Sequence, residues 1–227
     1  MCTVSWKSRA NRNLRSVQSI LYIPSDFAGT YGDYQEGIEL AMNDIQFWYW
    51  RMVGKTFRSR PLKTALGTKP AVWFESQGMK EASEEVIRAG GFQPYDGTRI
   101  FISFSPAPKG WLGGTIGVDN WATQEEIGAT YPWPGRTGLQ GRGLDIMCGL
   151  PDPSPSTEWW SDEMREWRGA IAHELGHCIC GLPHPDDDPA TTKWEPGETL
   201  LFAWWNYPTI GLLPDEILKL RASPFFR

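Results

Sequence analysis

The sequence predicts an α+β fold, and three kinds of stretch carry that prediction. Residues 17–23 and 99–105 are short apolar runs with the length and composition of buried strands. Residues 34–53 repeat apolar side chains at spacings of three and four, the pattern of one helix face. Residues 157–180 show a second long helical pattern behind a proline-rich link. The side of this helix expected to face the core carries Trp160, Met164, Trp167, Ile171, Leu175 and Cys178. A length of 227 residues suits one large domain, so we expect a single domain over 1–227.

The first long helix is expected to be a scaffold element with core-facing aromatic residues. Asp33-Tyr34-Gln35-Glu36 has the form of a capping box, and Gly54 offers a stop. The apolar stripe between them consists of Ile38, Ala41, Met42, Ile45, Trp48, Tyr49 and Met52.

Shorter elements are expected between and after the two long helices. The residue pattern predicts extended segments at 55–60, 71–75 and 144–149, and helices at 79–89 and 213–222. The last helix would carry Pro, Asp and Glu in its first turn, where a proline and acidic side chains are favoured.

Composition narrows the classes of partner. The net charge is −5 and no basic block is present, which argues against nucleic acid. No apolar run reaches the length of a membrane span. Residues 1–15 are polar and basic without an apolar region, so no signal peptide is expected there. Two locations stay open, the cytoplasm or, as we expect, secretion with a leader already removed; we also expect a monomer.

Tryptophan and cysteine usage each leave two interpretations. The 13 tryptophans fit core packing, with a sugar-stacking or lipid-facing surface as the alternative. The four cysteines could form two disulfides or remain thiols. Cys178 and Cys180 are too close on one helix to pair with each other, so Cys148 with one of them is the candidate bridge, whereas Cys2 has no evident partner.

All three histidines of the chain, His173, His177 and His184, lie in one short stretch. His173 and His177 are four residues apart, so on a helix both imidazoles can address one metal ion. Glu174 lies about 100° further round the helix, close to that point but out of line as a ligand. Gly181 gives the chain an exit from the helix, after which His184 can return as a third ligand.

This stretch resembles the zinc signature of the metzincin metallopeptidases, H-E-x-x-H-x-x-G-x-x-H. Here three residues instead of two separate His177 from Gly181, so Gly181 and His184 are each displaced by one. The resemblance implies one catalytic zinc held by His173, His177 and His184, with Glu174 as the general base toward a metal-activated water. Asp186 is the alternative third ligand; residues 186–188 are otherwise a solvated acidic loop or a calcium site.

The resemblance also implies a zincin/metzincin-like architecture. An N-terminal lobe over about 1–181 would hold a mixed twisted sheet and the two long helices. A smaller, largely irregular C-terminal lobe over about 182–227 would face it across a cleft. Residues 112–118 resemble the edge strand that pairs with substrate in that family, which makes Gly114 and Thr115 candidate substrate-binding residues. A glycine-rich turn is the alternative for this segment.

Two further positions follow from the same resemblance. The chain has no methionine where metzincins carry one on a tight turn beneath the zinc, and Leu200 or Leu201 is expected to fill that place. Tyr207 is a candidate to reach the zinc or a developing oxyanion, with a buried core aromatic as the alternative.

The resemblance implies a zinc metalloendopeptidase, a hydrolase that acts on protein or peptide substrates. Two alternatives stay open. One is a binding module that keeps the fold without activity and presents its tryptophans to a carbohydrate or a protein partner. The other is a zinc hydrolase of a non-peptide amide.

Overall fold

The computed structural model describes residues 15–76, 79–94, 98–105, 114–116, 145–149, 162–182 and 199–227. Within these ranges a single five-stranded sheet is flanked by helices. The predicted α+β class is confirmed. No helix in these ranges is long and apolar enough to cross a membrane.

The sheet is mixed, with one antiparallel strand at its edge. Its strands in chain order are β1 (Ser16–Ile23), β2 (Ser59–Leu66), β3 (Arg99–Ser105), β4 (Gly114–Ile116) and β5 (Asp145–Gly149). In space the order is β2-β1-β3-β5-β4. All neighbouring pairs are parallel except β4 with β5. The two predicted apolar strands therefore lie side by side in the sheet, and the predicted edge segment supplies an edge strand.

Five helices lie within the described ranges. They are α1 (Gly32–Val53), α2 (Ala71–Ser76), α3 (Met79–Ala89), α4 (Asp162–Cys180) and α5 (Pro214–Ala222), with a single 3-10 turn at Trp204–Asn206. The predicted stop of α1 is confirmed, because Gly54 has a left-handed φ of 76° and its N–H bonds the Trp50 carbonyl.

Three predictions about the first half of the chain are wrong. Helix α1 starts at Gly32, so Tyr31 and not Asp33 occupies the N-cap position. Residues 71–75 are helical instead of extended. The second strand occupies Ser59–Leu66 instead of 55–60. It continues through Pro61 because β2 is an edge strand, where a missing N–H costs no ladder hydrogen bond on the open side.

The cores on the two faces of the sheet are unequal. Alternate residues of each strand point to opposite faces. One face of β1 and β3 packs against α1, α4 and the C-terminal segment, in a cluster that includes Leu21, Ile102, Tyr49 and Leu175. The other face packs against α2 and α3 in a smaller apolar cluster that includes Phe101.

Helix α4 buries the side that the sequence predicted. Ile171, Leu175 and Cys178 are buried, and Trp167 packs against the same cluster. The side chains of Trp160 and Met164, expected on the same face, lie outside the described residues. Neither Cys178 nor Cys180 forms a disulfide, so a bridge from either to Cys148 is not present.

Candidate metal centre

Helix α4 brings two imidazoles together on one side. The Nε2 atoms of His173 and His177 face each other at 2.9 Å, with the rings nearly perpendicular at 86°. The carboxylate of Glu174 lies beside them, with Oε1 4.0 Å from His173 Nε2. The ligand atoms of the three side chains all lie within 4.8 Å of one another. The i, i+4 spacing has therefore produced the predicted convergence.

Backbone carbonyls fix both imidazoles. His173 Nδ1 donates to the Leu200 carbonyl at 3.0 Å, and His177 Nδ1 donates to the Leu182 carbonyl. A carbonyl can only accept, so each ring carries its proton on Nδ1 when neutral. The two Nε2 atoms are then left with their lone pairs directed at a common point. Metal-binding histidines in proteins are oriented by this kind of outer hydrogen bond.

The donor set fits a divalent metal that prefers nitrogen. Two imidazole nitrogens can stand 2.9 Å apart when they share a cation, which is either a proton carried by one ring or a metal ion between the two. At a zinc–nitrogen distance of about 2.0–2.1 Å, tetrahedral ligands stand roughly 3.3 Å apart, so the rings need to open by only a few tenths of an ångström. Imidazole nitrogen with a neighbouring carboxylate is a common zinc environment.

The end of α4 supplies one of the two carbonyls. Gly181 adopts a left-handed φ of 64°, and its N–H bonds the His177 carbonyl at 2.8 Å. This turn directs the next residue back, which brings the Leu182 carbonyl to the His177 ring. The predicted role of Gly181 as the helix exit is confirmed.

Leu201, one of the two residues expected in the methionine position, packs against α4 at Gly176. A Cβ on Gly176 would lie 3.3 Å from Leu201 Cδ2 and 3.3 Å from the Tyr49 hydroxyl. Tyr49 donates to the Ala172 carbonyl at 2.7 Å, next to His173, and burial raises the pKa of this phenol well above its usual value. Glycine at 176 thus lets a leucine and a tyrosine approach the helix between the two histidines.

Tyr207 is fully buried and belongs to a different polar contact. Its hydroxyl donates to Asp44 Oδ2 at 2.8 Å, and Arg168 Nε lies 3.1 Å from the same oxygen. Burial and the Asp44 carboxylate both raise the pKa of this phenol. The contact joins α1, α4 and the turn after Leu201. A role for Tyr207 toward a metal or an oxyanion stays a prediction.

The remaining predicted site residues divide into two groups. Gly114 and Thr115 lie on β4, the edge strand of the sheet. His184 and Asp186, the candidates for the third ligand, lie outside the described residues. The identity of the third ligand therefore stays a prediction.

The sequence did not reveal the groups that orient the histidines. Leu182 and Leu200 act through their carbonyls, which are the same for every residue type. Thr199 and Glu216 form a buried hydrogen bond of 2.6 Å beside Leu200. An acidic residue in the first turn of the last helix was the only sequence signal for this pair.

The chain matches none of the protein-family models against which it was scanned, and a search of curated proteins finds no match either.

Proposed function

We propose that this protein is a zinc-dependent endopeptidase. The observation that supports this most is the pair of Nε2 atoms 2.9 Å apart, each set in place by a carbonyl on its Nδ1, with a carboxylate beside them. Two histidines on an ordinary solvated surface are not expected to have both Nδ1 atoms hydrogen-bonded to backbone carbonyls. His173 is only 6% exposed, which further separates it from an ordinary polar surface residue.

In this proposal some residues bind the metal and another transfers a proton. His173 and His177 hold the metal, and His184 is the proposed third ligand, with Asp186 as the alternative. Zinc at this position supplies a Lewis acid that polarises a carbonyl group and acidifies water. Glu174 accepts a proton on a carboxylate oxygen and returns it to the leaving amine. Its position next to the histidine pair, at 4.0 Å from His173 Nε2, suits a base that is not itself a ligand.

Strand β4 is the proposed site for the substrate backbone. Among the described residues β4 pairs only with β5, and it is the last strand in the sheet order. An edge strand can accept an extended peptide as one more strand through main-chain hydrogen bonds. The substrate class proposed is therefore a protein or peptide in extended conformation.

Zinc content and cleavage of an unstructured protein test this proposal together. We expect one zinc in the wild type, none in His177→Ala, and cleavage that a chelator stops. Glu174→Gln should keep the zinc and lose cleavage by a factor of at least about 10³, because a carboxamide accepts no proton at neutral pH. Glu81→Gln, an exposed carboxylate on α3, is the matched control and should behave as wild type.

The outcomes distinguish the alternatives. Cleavage retained by Glu174→Gln contradicts the role of the base. Zinc without any peptide cleavage favours a different amide substrate, and absence of zinc in the wild type favours a binding module. His184→Ala should weaken zinc binding; an unchanged affinity would assign the third ligand to Asp186, which Asp186→Ala then tests.

A further inference from the structure

A buried carboxylate lies behind the histidine pair, outside the group that would bind the metal. Glu216, at the start of α5, is 3% exposed. Its Oε2 accepts two hydrogen bonds, from Thr199 Oγ1 at 2.6 Å and from the Leu213 N–H at 2.7 Å. Burial raises the pKa of this carboxyl to about 7, although the two hydrogen bonds oppose that shift. As the third residue of α5, this carboxylate caps the helix start through the Leu213 N–H, and its second hydrogen bond leads out of the helix to Thr199.

The contacts of Thr199 lead directly to the metal site. Thr199 precedes Leu200, whose carbonyl accepts the hydrogen bond from His173 Nδ1. The Thr199 hydroxyl also accepts from the Leu201 N–H at 3.3 Å, and the Leu200 N–H bonds the Gly211 carbonyl at 2.9 Å. The peptide groups on both sides of Leu200 are thereby restrained. The direction of the Leu200 carbonyl depends on where the Thr199 side chain is held.

We propose that Glu216 is a positioning residue for the metal site, which acts through Thr199 and the Leu200 carbonyl to fix the ring of His173. The inference rests on the proposed function only in that the group held at His173 is taken to be zinc. Glu216 touches neither the metal nor a substrate in this proposal. Its contribution is the orientation of one ligand.

The chemistry of the contact suggests variants that separate geometry from charge. Both donors meet one oxygen of Glu216, and a glutamine can place its carbonyl oxygen there. Glu216→Gln therefore keeps the two hydrogen bonds, whereas Glu216→Ala removes them. Thr199→Ser keeps the hydroxyl, whereas Thr199→Val removes it with little change in volume. Asp215→Asn, at the neighbouring and partly exposed carboxylate, is the matched control.

The test measures zinc affinity by competition with a chromophoric chelator, on protein shown to be folded by circular dichroism. We expect Glu216→Ala and Thr199→Val to bind zinc about tenfold more weakly, the lower end of the loss seen for outer partners of a ligand. Glu216→Gln, Thr199→Ser and Asp215→Asn should stay within about twofold of wild type. If Glu216→Ala and Thr199→Val acted only by a general loss of packing, the conservative variants would not be expected to retain zinc affinity so selectively.

A second readout needs no metal. The Nδ1–H of His173 should give a downfield proton signal in the metal-free protein, assigned by its absence from His173→Ala. Thr199→Val should shift or broaden this signal, while Thr199→Ser should keep it. This measurement also serves if Glu216→Ala does not fold.

With these two readouts, failure of the inference about Glu216 can be distinguished from failure of the proposed function. If the wild type takes up no zinc, the proposed function fails and the proton signal still tests Glu216. If the wild type binds zinc, and Glu216→Ala and Thr199→Val bind it as tightly with an unchanged signal, the inference about Glu216 is overturned.

Discussion

The two faces of the sheet are built in different ways. The face that packs on α2 and α3 is closed by a small apolar cluster, in which Phe101 lies against Phe92. The face that packs on α1 and α4 is larger and is crossed by buried side-chain hydrogen bonds between distant parts of the chain. These include Tyr49 to the Ala172 carbonyl and Ser223 to the Ile179 carbonyl, both of which end on α4.

Because the two faces differ in this way, one mainly stabilises the fold and the other also orients side chains on α4. The hydrophobic driving force is non-directional, so apolar burial stabilises the fold without itself aiming a polar atom at a partner. Hydrogen bonds have preferred directions and fix the groups that they join. The hydrogen bonds from Tyr49 and Ser223 reach carbonyls of α4, the helix on which the two imidazoles meet. We therefore expect changes on the two faces to have separable effects on stability and on metal affinity.

The largest effect on stability is expected on the α3 face. Phe101→Ala removes a fully buried ring and should lower the free energy of unfolding by about 4 kcal/mol, through lost burial and the cavity left behind. Zinc affinity of the molecules that remain folded should not change, because Phe101 points away from α4. Urea unfolding and zinc titration at low temperature measure the two quantities. A weaker zinc site in the folded variant would contradict the separation of the faces.

A substitution on the α4 face should lower both quantities. A Cβ on Gly169 would lie 2.1 Å from the Trp204 carbonyl oxygen and 2.8 Å from Tyr207 Cβ, so Gly169→Ala must push the 3-10 turn away from α4. We expect a loss of about 3 kcal/mol in the free energy of unfolding. Zinc affinity should fall severalfold as well, because the same turn continues from Leu200.

The matched control for this change is Gly211→Ala in the same segment. A Cβ at Gly211 meets nothing within 4 Å, so stability and zinc affinity should stay close to wild type. Equal zinc affinity in Gly169→Ala and Gly211→Ala would show that the turn does not orient the site.

The smallest effect is a pH dependence that belongs to Glu216. Its pKa rises from 4.5 to about 7 on folding, so the folded state favours the protonated form. The stability from this group is therefore present below about pH 4.5 and is lost as the pH rises through 7. Between pH 4 and pH 6 the wild type should lose about 2 kcal/mol relative to Glu216→Gln, which does not titrate.

Urea unfolding of both proteins across this range measures the difference, and parallel curves would contradict the raised pKa. Other titratable groups face Glu216. Asp215 and Lys219 lie on α5, Tyr49 on α1 and Cys180 on α4, and Asp215 and Lys219 shift its pKa in opposite directions. The comparison with Glu216→Gln cancels what these groups contribute by themselves.

Elements with a strong local pattern were predictable from the sequence. Strand β3 was predicted with the bounds that the structure gives it, and β1 was predicted to within one residue. Helix α2 was not predicted. At its start the Ala71 N–H donates a hydrogen bond to Asp26 Oδ1, 45 residues earlier in the chain, and a local pattern cannot show such a contact. Aromatic and β-branched residues at 72–74 favour a strand by themselves, which is why the local pattern predicted an extended segment.

The candidate site shows the same division. The spacing of His173 and His177 is a local signal, and it predicted their convergence. The carbonyls of Leu182 and Leu200 carry no residue-specific signal, and Thr199 and Glu216 are 17 positions apart. The sequence identifies the candidate metal ligands, His173 and His177. The tautomers and directions of those ligands depend on contacts that form only when the chain is folded.

The hydrogen bond from His173 to Leu200 also has a consequence for how the protein is made. It spans 27 residues, whereas the two histidines share one helix. During synthesis α4 can present both imidazoles before residue 200 has left the ribosome, and the Leu200 carbonyl arrives only afterwards. In the proposed zinc site, full metal affinity would then be reached only after the C-terminal part of the chain has docked.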